Sequence, residues 1–384
     1  MKAYKYLILT TGAMLSLACS SKTGSYSSDS CLKDRYADSF RIGAAVNHLV
    51  TNGRCQKSEN ILLTHFNSIT AENSMKPDII HPRPDVWNFD RSDEFVDFAQ
   101  RNGLYTVGHG LVWYKQTPEF FWKDDSGRFR SREELAENMR SYIRKVTERY
   151  SGRISEWDVV MDAIEEDGSY RNKGWGEAYG DGYEAIRDAF TFAAEYAPDA
   201  QLNYVDANVW RPSHLQGIIS MARRLQADGV RIDRIVMKGH WGLNYPDLTL
   251  VESAIDQLSS MGLRVAVGEL EVDVLPISRE GLVTSNAFAE QQFQYEEFEE
   301  FLDPYKEGLP ADVAEQLDRR YEEIFRMFYR HRDQIDRVTF WGISDDQSWK
   351  NDTPVPNRTN YPLLFNRDKS AKPALYSIMD IPED

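Results

Sequence analysis

From Arg41 onward the chain alternates between short β-branched or apolar runs and longer segments whose apolar positions recur every three or four residues. The short runs predict strands at Arg41 to Val46, Ser68 to Ala71, Tyr105 to Gly108, Ile154 to Val160, Leu202 to Val205, Arg234 to Met237, Arg264 to Val267 and Arg337 to Trp341. The longer segments predict amphipathic helices over Asp93 to Arg101, Glu134 to Arg149, Glu184 to Tyr196, Leu215 to Leu225, Leu250 to Met261 and Leu317 to Asp333. Eight strands, each followed by a helix or by a loop long enough to hold one, point to an α/β chain closed into a (β/α)8 TIM barrel. An open doubly wound sheet fits the alternation less well. No second break in composition interrupts the pattern, so a single domain is expected over residues 37–384, its folded body starting near Tyr36.

The N-terminus follows a different rule. Lys2 and Lys5 precede an apolar run from Tyr6 to Leu17, then Ala18, Cys19, Ser20 and Ser21. About 12 apolar residues are too few to cross the ~30 Å hydrocarbon core as a helix, and the pattern predicts a secretory signal peptide over residues 1–18. A small residue directly before a cysteine resembles a bacterial lipoprotein cleavage box, with Ser16 in place of the usual leucine. Lipidation of Cys19 would make the chain an exported, membrane-anchored bacterial lipoprotein, periplasmic or at the cell surface. An ordinary signal peptide with an incidental cysteine is the alternative. From Cys19 the composition is rich in Ser, Gly and Thr without apolar periodicity, and residues 19–36 read as a flexible tether.

Composition narrows the partners. The net charge of −16 becomes −18 without the first 18 residues, and such a surface repels nucleic acid while leaving a neutral polysaccharide unaffected. Membrane contact is expected through the lipid anchor alone, and a monomer is expected. Cys31 and Cys55 remain after Cys19, and an exported compartment is oxidising enough to make them a candidate disulfide. With no CxxC pair, HExxH, P-loop or GxGxxG in the sequence, no metal and no cofactor are predicted.

In closed parallel barrels, chemistry collects at the C-terminal ends of the strands. The residues at or just past those ends are Glu72 and Asn73, His109, Asp162, Asp206 and Asn208, Lys238 and His240, Glu269, and Trp341. The set holds carboxylates, imidazoles and an indole, with no serine or cysteine nucleophile, which favours acid/base or carboxylate chemistry. Glycoside hydrolysis needs two carboxylates facing each other, one to protonate the leaving oxygen and one to attack or to activate water; Asp162 and Glu269 are the candidate pair. Any single acid is more often a solvated or structural group, but Glu269 ends the apolar run Val265-Ala266-Val267-Gly268. Aromatics supply the complementary surface, because pyranose C–H faces stack on indoles. Trp113, Trp341 and Trp349 lie beside strand ends and suit a cleft, whereas Trp87, Trp157 and Trp175 suit packing roles.

Several segments together carry a family resemblance. They are Phe66-Asn67-Ser68-Ile69-Thr70-Ala71-Glu72-Asn73-Ser74-Met75-Lys76, Gly108-His109-Gly110-Leu111-Val112-Trp113, Trp157-Asp158-Val159-Val160, Gly239-His240-Trp241, Gly268-Glu269-Leu270 and Trp341-Gly342-Ile343 with Ser348-Trp349. They resemble glycoside hydrolase family 10, the retaining endo-β-1,4-xylanases, in the family's order from about Arg41 to Ile378. The resemblance implies a long open cleft for xylan, with Glu269 at the nucleophile position and His240 as its hydrogen-bonding partner. It puts Glu72, Asn73 and Lys76 where the sugar next to the cleavage point is bound. Trp341 and Trp349 fall beside the sugars on the non-reducing side, and His109 falls at the floor of the site.

The departures from the family cluster where cleavage would occur. Met161-Asp162 replaces the family's Asn-Glu, which carries a 2-hydroxyl contact and the acid/base. Tyr114 replaces a histidine, Lys238 a glutamine, Gly268 a threonine and Val205 an asparagine. An aspartate withdraws its carboxyl by roughly 1 to 1.5 Å relative to a glutamate. If Lys238 points at the carboxylates it holds them ionised; if it points away, Asp162 is merely a shorter acid. Three functions stay open: a retaining hydrolase acting on β-1,4-xylan or a decorated xylan, a surface xylan-binding lipoprotein that has lost efficient cleavage, and a different β-glycosidic activity. Tyr114, Asn208 and Lys238 join the candidate substrate-binding set.

Overall fold

The computed structural model describes residues 31–275 and 302–382. Eight strands lie in chain order around a ring: β1 (Arg41–Val46), β2 (Ser68–Ala71), β3 (Tyr105–Trp113), β4 (Glu156–Met161), β5 (Gln201–Asp206), β6 (Arg234–Gly242), β7 (Arg264–Asp273) and β8 (Ile335–Phe340). All neighbouring pairs are parallel, and β8 closes on β1 with Arg41 opposite Arg337 and Ala44 opposite Phe340. The expected (β/α)8 barrel is therefore the observed fold.

Helices Asp90–Arg101, Arg132–Arg149, Gly182–Tyr196, Pro212–Ala227, Leu248–Ser259 and Ala311–Arg330 flank the strands. All six start before their first expected apolar repeat, and in four of them the opening turn carries a capping side chain or a leading proline. Asp181 accepts from the main-chain N–H groups of Tyr183 and Glu184, and Asp247 accepts from that of Thr249. Ser131 and Glu134 form a reciprocal capping box, while Pro212 uses its fixed φ at the first helical position. Trp157 and Trp175 are buried packing residues as expected, and Trp157 lies so close to β3 that a Cβ on Gly108 would meet its ring at 2.2 Å.

The inner face of the ring is layered by the two-residue period of its strands. At the N-terminal end Glu156 of β4 accepts from Arg337 of β8 (Nε to Oε1, 2.7 Å) and is paired with Arg234 of β6, whose Nη1 also donates to Asn203 Oδ1 at 3.2 Å. Strands four and eight stand opposite each other, so this buried charge network crosses the interior. Two residues further along come Val205 and Val236, which pack with Met161 and Ala266 in an apolar layer. The next inward position on β6 is Lys238, at the level of the C-terminal rim.

Two expectations are corrected. The folded body reaches back at least to Cys31, because Leu32 is fully buried and helix Leu32–Arg35 is tied to the far end of the chain. Arg35 Nε donates to the carbonyl of Met379 (3.1 Å) and Tyr36 Oη to that of Ile378 (2.6 Å). The candidate Cys31–Cys55 disulfide is not formed. Cys31 is buried with its Sγ donating to Asp34 Oδ2 at 2.8 Å, and Cys55 is a separate, partly exposed thiol ahead of helix Gln56–His65. The signal peptide, Cys19 and most of the tether lie outside the described residues.

Candidate active site

The strand ends at the C-terminal rim are where the backbone departs from regular geometry. Asp162 after β4, Asn208 after β5 and Glu269 within β7 have φ of 52°, 52° and 54°. Left-handed conformations at non-glycine residues cost about 1–3 kcal/mol each, and they mark places where side-chain aim outweighs local stability. Register shifts in β3, β4, β6 and β7 fall at the same level, so the strands turn their polar ends toward a common space.

That space is a cleft of about 300 Å³ whose wall contains Glu72, Asn73, Lys76, His109, Trp113, Asp162, Lys238, His240, Glu269, Trp341 and Trp349. Of the predicted site residues, Asn208 and Tyr114 are not on this wall. Asn208 is half-buried beyond β5, while Tyr114 lines a small neighbouring cavity with the Arg171 guanidinium 4.8 Å from its ring centre. Asp206 lies on the helix-facing side of β5, held by Tyr204 Oη at 2.5 Å with His214 Nε2 3.3 Å away, a structural role.

Glu269 sits between a histidine and a lysine. His240 Nε2 lies 2.7 Å from Glu269 Oε2, and its Nδ1 lies 2.7 Å from Glu271 Oε1, which also accepts from Trp349 Nε1 at 2.7 Å. Burial works against charge on His240, but the two carboxylates outweigh it and raise its pKa, so the imidazolium donates to both. Glu269 is buried too, yet the Lys238 ammonium and the His240 hydrogen bond hold its carboxyl well below the usual range. Its Oε1 is buried and has no hydrogen-bond partner among the described residues.

Lys238 resolves the alternative left open by the sequence, for it points at the carboxylates. Its Nζ donates to Asp162 Oδ2 at 2.9 Å and lies 3.6 Å from Glu269 Oε1. Trp113 Nε1 donates to the same Asp162 oxygen at 2.8 Å, and Arg171 Nε fixes the Asp162 main-chain carbonyl at 2.7 Å. Burial pushes the Asp162 carboxyl up, but the Lys238 charge and hydrogen bond outweigh it and hold the group below its ordinary value. Burial likewise disfavours charge on Lys238, and Asp162 with Glu269 outweighs that penalty. Both candidate carboxylates are thus anions at neutral pH.

The opposite wall is polar. Lys76 donates to Asn73 Oδ1 (2.8 Å) and Gln116 Oε1 (2.9 Å), and burial brings its pKa down to about 8 against the pull of Glu269. Glu72 is raised by burial and partly restored by Lys76. On the floor, His109 Nδ1 lies 2.7 Å from Asp158 Oδ2, and Asn203 donates to the other Asp158 oxygen at 2.9 Å. Trp341 and Trp349 close one side, Trp341 at 5.2 Å from His109 and Trp349 at 4.9 Å from His240 between ring centres. Among the described residues no group of three His, Cys, Asp or Glu side chains is arranged to hold a metal ion.

Sequence reasoning missed Glu271, Asp158 and Gln116, the residues that aim His240, His109 and Lys76. The signal for Glu271 was present as a second carboxylate two positions beyond Glu269 on one strand. Gln116 belongs to a loop and left none.

A closed parallel barrel with two carboxylates, a histidine dyad and indole walls in one rim cleft has the make-up of a glycoside hydrolase. Comparison with known proteins agrees. The family model described as glycosyl hydrolase family 10 matches residues 31–381. Endo-1,4-beta-xylanase A of Xylanibacter ruminicola is 35% identical over 92% of this chain and 93% of its own length. The endo-1,4-beta-xylanase of Geobacillus stearothermophilus is 34% identical, covering 91% and 98%. Among solved structures, an endoxylanase retrieved from a sugarcane soil metagenome superimposes with a TM-score of 0.84 at 37% identity, covering 91% of this chain and 98% of that one. A mutant solved in complex with xylotriose gives 0.80 at 32%, covering 92% and 100%. The chain belongs to glycosyl hydrolase family 10.

Proposed function

We propose that this protein hydrolyses β-1,4-xylan or a related decorated xylan by a retaining double displacement, with Glu269 as nucleophile and Asp162 in the acid/base place. The arrangement of Glu269 carries the reading: one oxygen is held by His240 at 2.7 Å, and the other has no hydrogen-bond partner among the described residues, with the Lys238 ammonium 3.6 Å away. Spacing supports retention. A single ammonium reaches both carboxylates, so the two oxygens it faces lie at most about 6.5 Å apart, at the short limit of the ~6.5–9.5 Å used by inverting enzymes. The xylanase relatives and the xylotriose complex of a structural neighbour support the substrate class. Glu72, Asn73 and Lys76 would take the hydroxyls of the sugar before the cleavage point, and Trp341 and Trp349 its apolar faces. The chain would work as an exported monomer held to a membrane through a lipid on Cys19.

The test is product analysis of the purified mature protein on polymeric xylan. Released oligosaccharides should retain the β configuration when first formed, as read by proton NMR. Glu269→Gln should lose hydrolysis by roughly 10³-fold or more while binding xylo-oligosaccharides within a few-fold of the parent, because the amide keeps the shape and loses the nucleophile. Undiminished turnover in that variant would remove Glu269 from the mechanism.

Met161 favours a second reading, a surface xylan-binding lipoprotein without efficient cleavage. Its side chain is buried against Val205, Val236 and Ala266, where the family pattern has an asparagine for the 2-hydroxyl. A hydrogen bond of that kind strengthens in the transition state and supplies part of several kcal/mol. Tight oligosaccharide binding with no products would support this reading over the first.

A further inference from the structure

We infer that Lys238 splits the two halves of the double displacement, so that the β-xylosides this site turns over efficiently are those whose aglycone departs as a stable anion. The inference rests on the retaining reading above and divides its substrates, xylan being cleaved slowly because its leaving oxygen needs a proton.

The geometry places the acid in the wrong state for one step and the right state for the other. Asp162 Oδ2 accepts from the Lys238 ammonium at 2.9 Å and from the Trp113 indole N–H at 2.8 Å, and with Oδ1 unpartnered among the described residues both donors stabilise the carboxylate over the acid. Lys238 is itself buried, and Asp206 and Glu269 are the other acids that reinforce its charge. Lys115 adds a further cation facing Asp162. Lys76, Glu72, His109 and His240 complete the ionisable lining of the cleft.

In the first step Glu269 Oε1 bonds to the anomeric carbon while the bond from that carbon to the leaving oxygen breaks, and its electron pair goes with the leaving oxygen. Within xylan that oxygen becomes a sugar alkoxide, which needs a proton that Asp162 does not hold. A phenolate needs none. In the second step water attacks the anomeric carbon, the Asp162 carboxylate takes the water proton, and Glu269 leaves with the bonding pair. Here an ionised Asp162 is the required base, and the proton it gains passes to solvent as the Lys238 pair re-forms.

Aryl β-xylobiosides of graded phenol acidity read the split directly. A general acid is worth about 10²–10⁴-fold, and wild type should show a spread of that order between dinitrophenyl and phenyl substrates. Lys238→Gln keeps a hydrogen-bond donor and removes the charge. It should raise the rates on the phenyl substrate and on xylohexaose at least tenfold relative to the dinitrophenyl rate. Asp162→Asn should release one equivalent of dinitrophenol in a burst and then stall, with added azide restoring turnover as the glycosyl azide, because only the base of the second step has been lost. A shallow dependence on the phenol in wild type would overturn the inference, as would Lys238→Gln scaling all substrates equally. The retaining reading itself is checked separately, by mass spectrometry after a 2-deoxy-2-fluoro aryl xylobioside. A label on Glu269 upholds it whatever Lys238 does, and no label on Glu269 overturns both.

Discussion

Single side chains in this cleft differ most in whether burial or partners set their charge. At Lys238 the partners win, and at Lys76 burial does, which places its pKa at about 8 against an ordinary 10.5. The ammonium of Lys76 faces the cleft while donating to Asn73 and Gln116, so its proton matters to any bound sugar. Oligosaccharide affinity should therefore decline severalfold between about pH 7 and pH 9, and titration calorimetry on Lys76→Met should give a flat profile over that range. Stability moves the other way. The folded chain releases this proton near pH 8 and the unfolded chain near 10.5, so between those values the unfolded state binds more protons, and this group makes folding more favourable as pH rises. An affinity that stays level to pH 9 in the parent would mean that Lys76 remains charged there.

For the strands and helices, legibility tracked apolar content. Strand starts were readable within two residues, because β-branched runs begin abruptly after polar loops, as at Arg41, Ser68, Arg234 and Arg264. Five strand ends were readable to within one residue, and three were not. The third, sixth and seventh strands run on to Trp113, Gly242 and Asp273, and the added residues are those that carry His109, Lys238, His240, Glu269 and Glu271 into the cleft. A functional strand end is polar by necessity, so a pattern built on hydrophobicity stops where the chemistry begins. The same bias hid the helix at Leu32, whose one buried apolar turn is too short to register as a period. At the opposite end of the barrel, Glu156 links β4 to Arg234 and Arg337 in a buried network that no pattern suggested. Breaking a buried pair leaves an uncompensated charge, at a cost of about 3–5 kcal/mol. Glu156→Gln should lower urea stability by that order while leaving ligand affinity at the far rim unchanged, and a loss under about 1 kcal/mol would show that water reaches the arginines.

On the scale of the whole chain, Cys31 and the helix after it pack as one unit with the barrel, and the expected leader and Cys19 lie outside the described residues. If Cys19 is lipidated, palmitate supplied to growing cells should label the wild-type protein and not Cys19→Ala, with the variant recovered in the soluble fraction. No label on the wild-type protein would leave an ordinary cleaved leader. The family resemblance spans nearly the whole barrel, and of its altered positions Asp162 pairs with the Lys238 ammonium while Met161 and Val205 pack together in the apolar layer below.

The hydrogen bonds from Trp349 through Glu271 and His240 to Glu269 have a mechanical corollary. Because all three contacts are already closed at 2.7 Å, the carboxylate of Glu269 is aimed before any ligand arrives, and whatever displaces the Trp349 indole is passed along the same donors and acceptors to it.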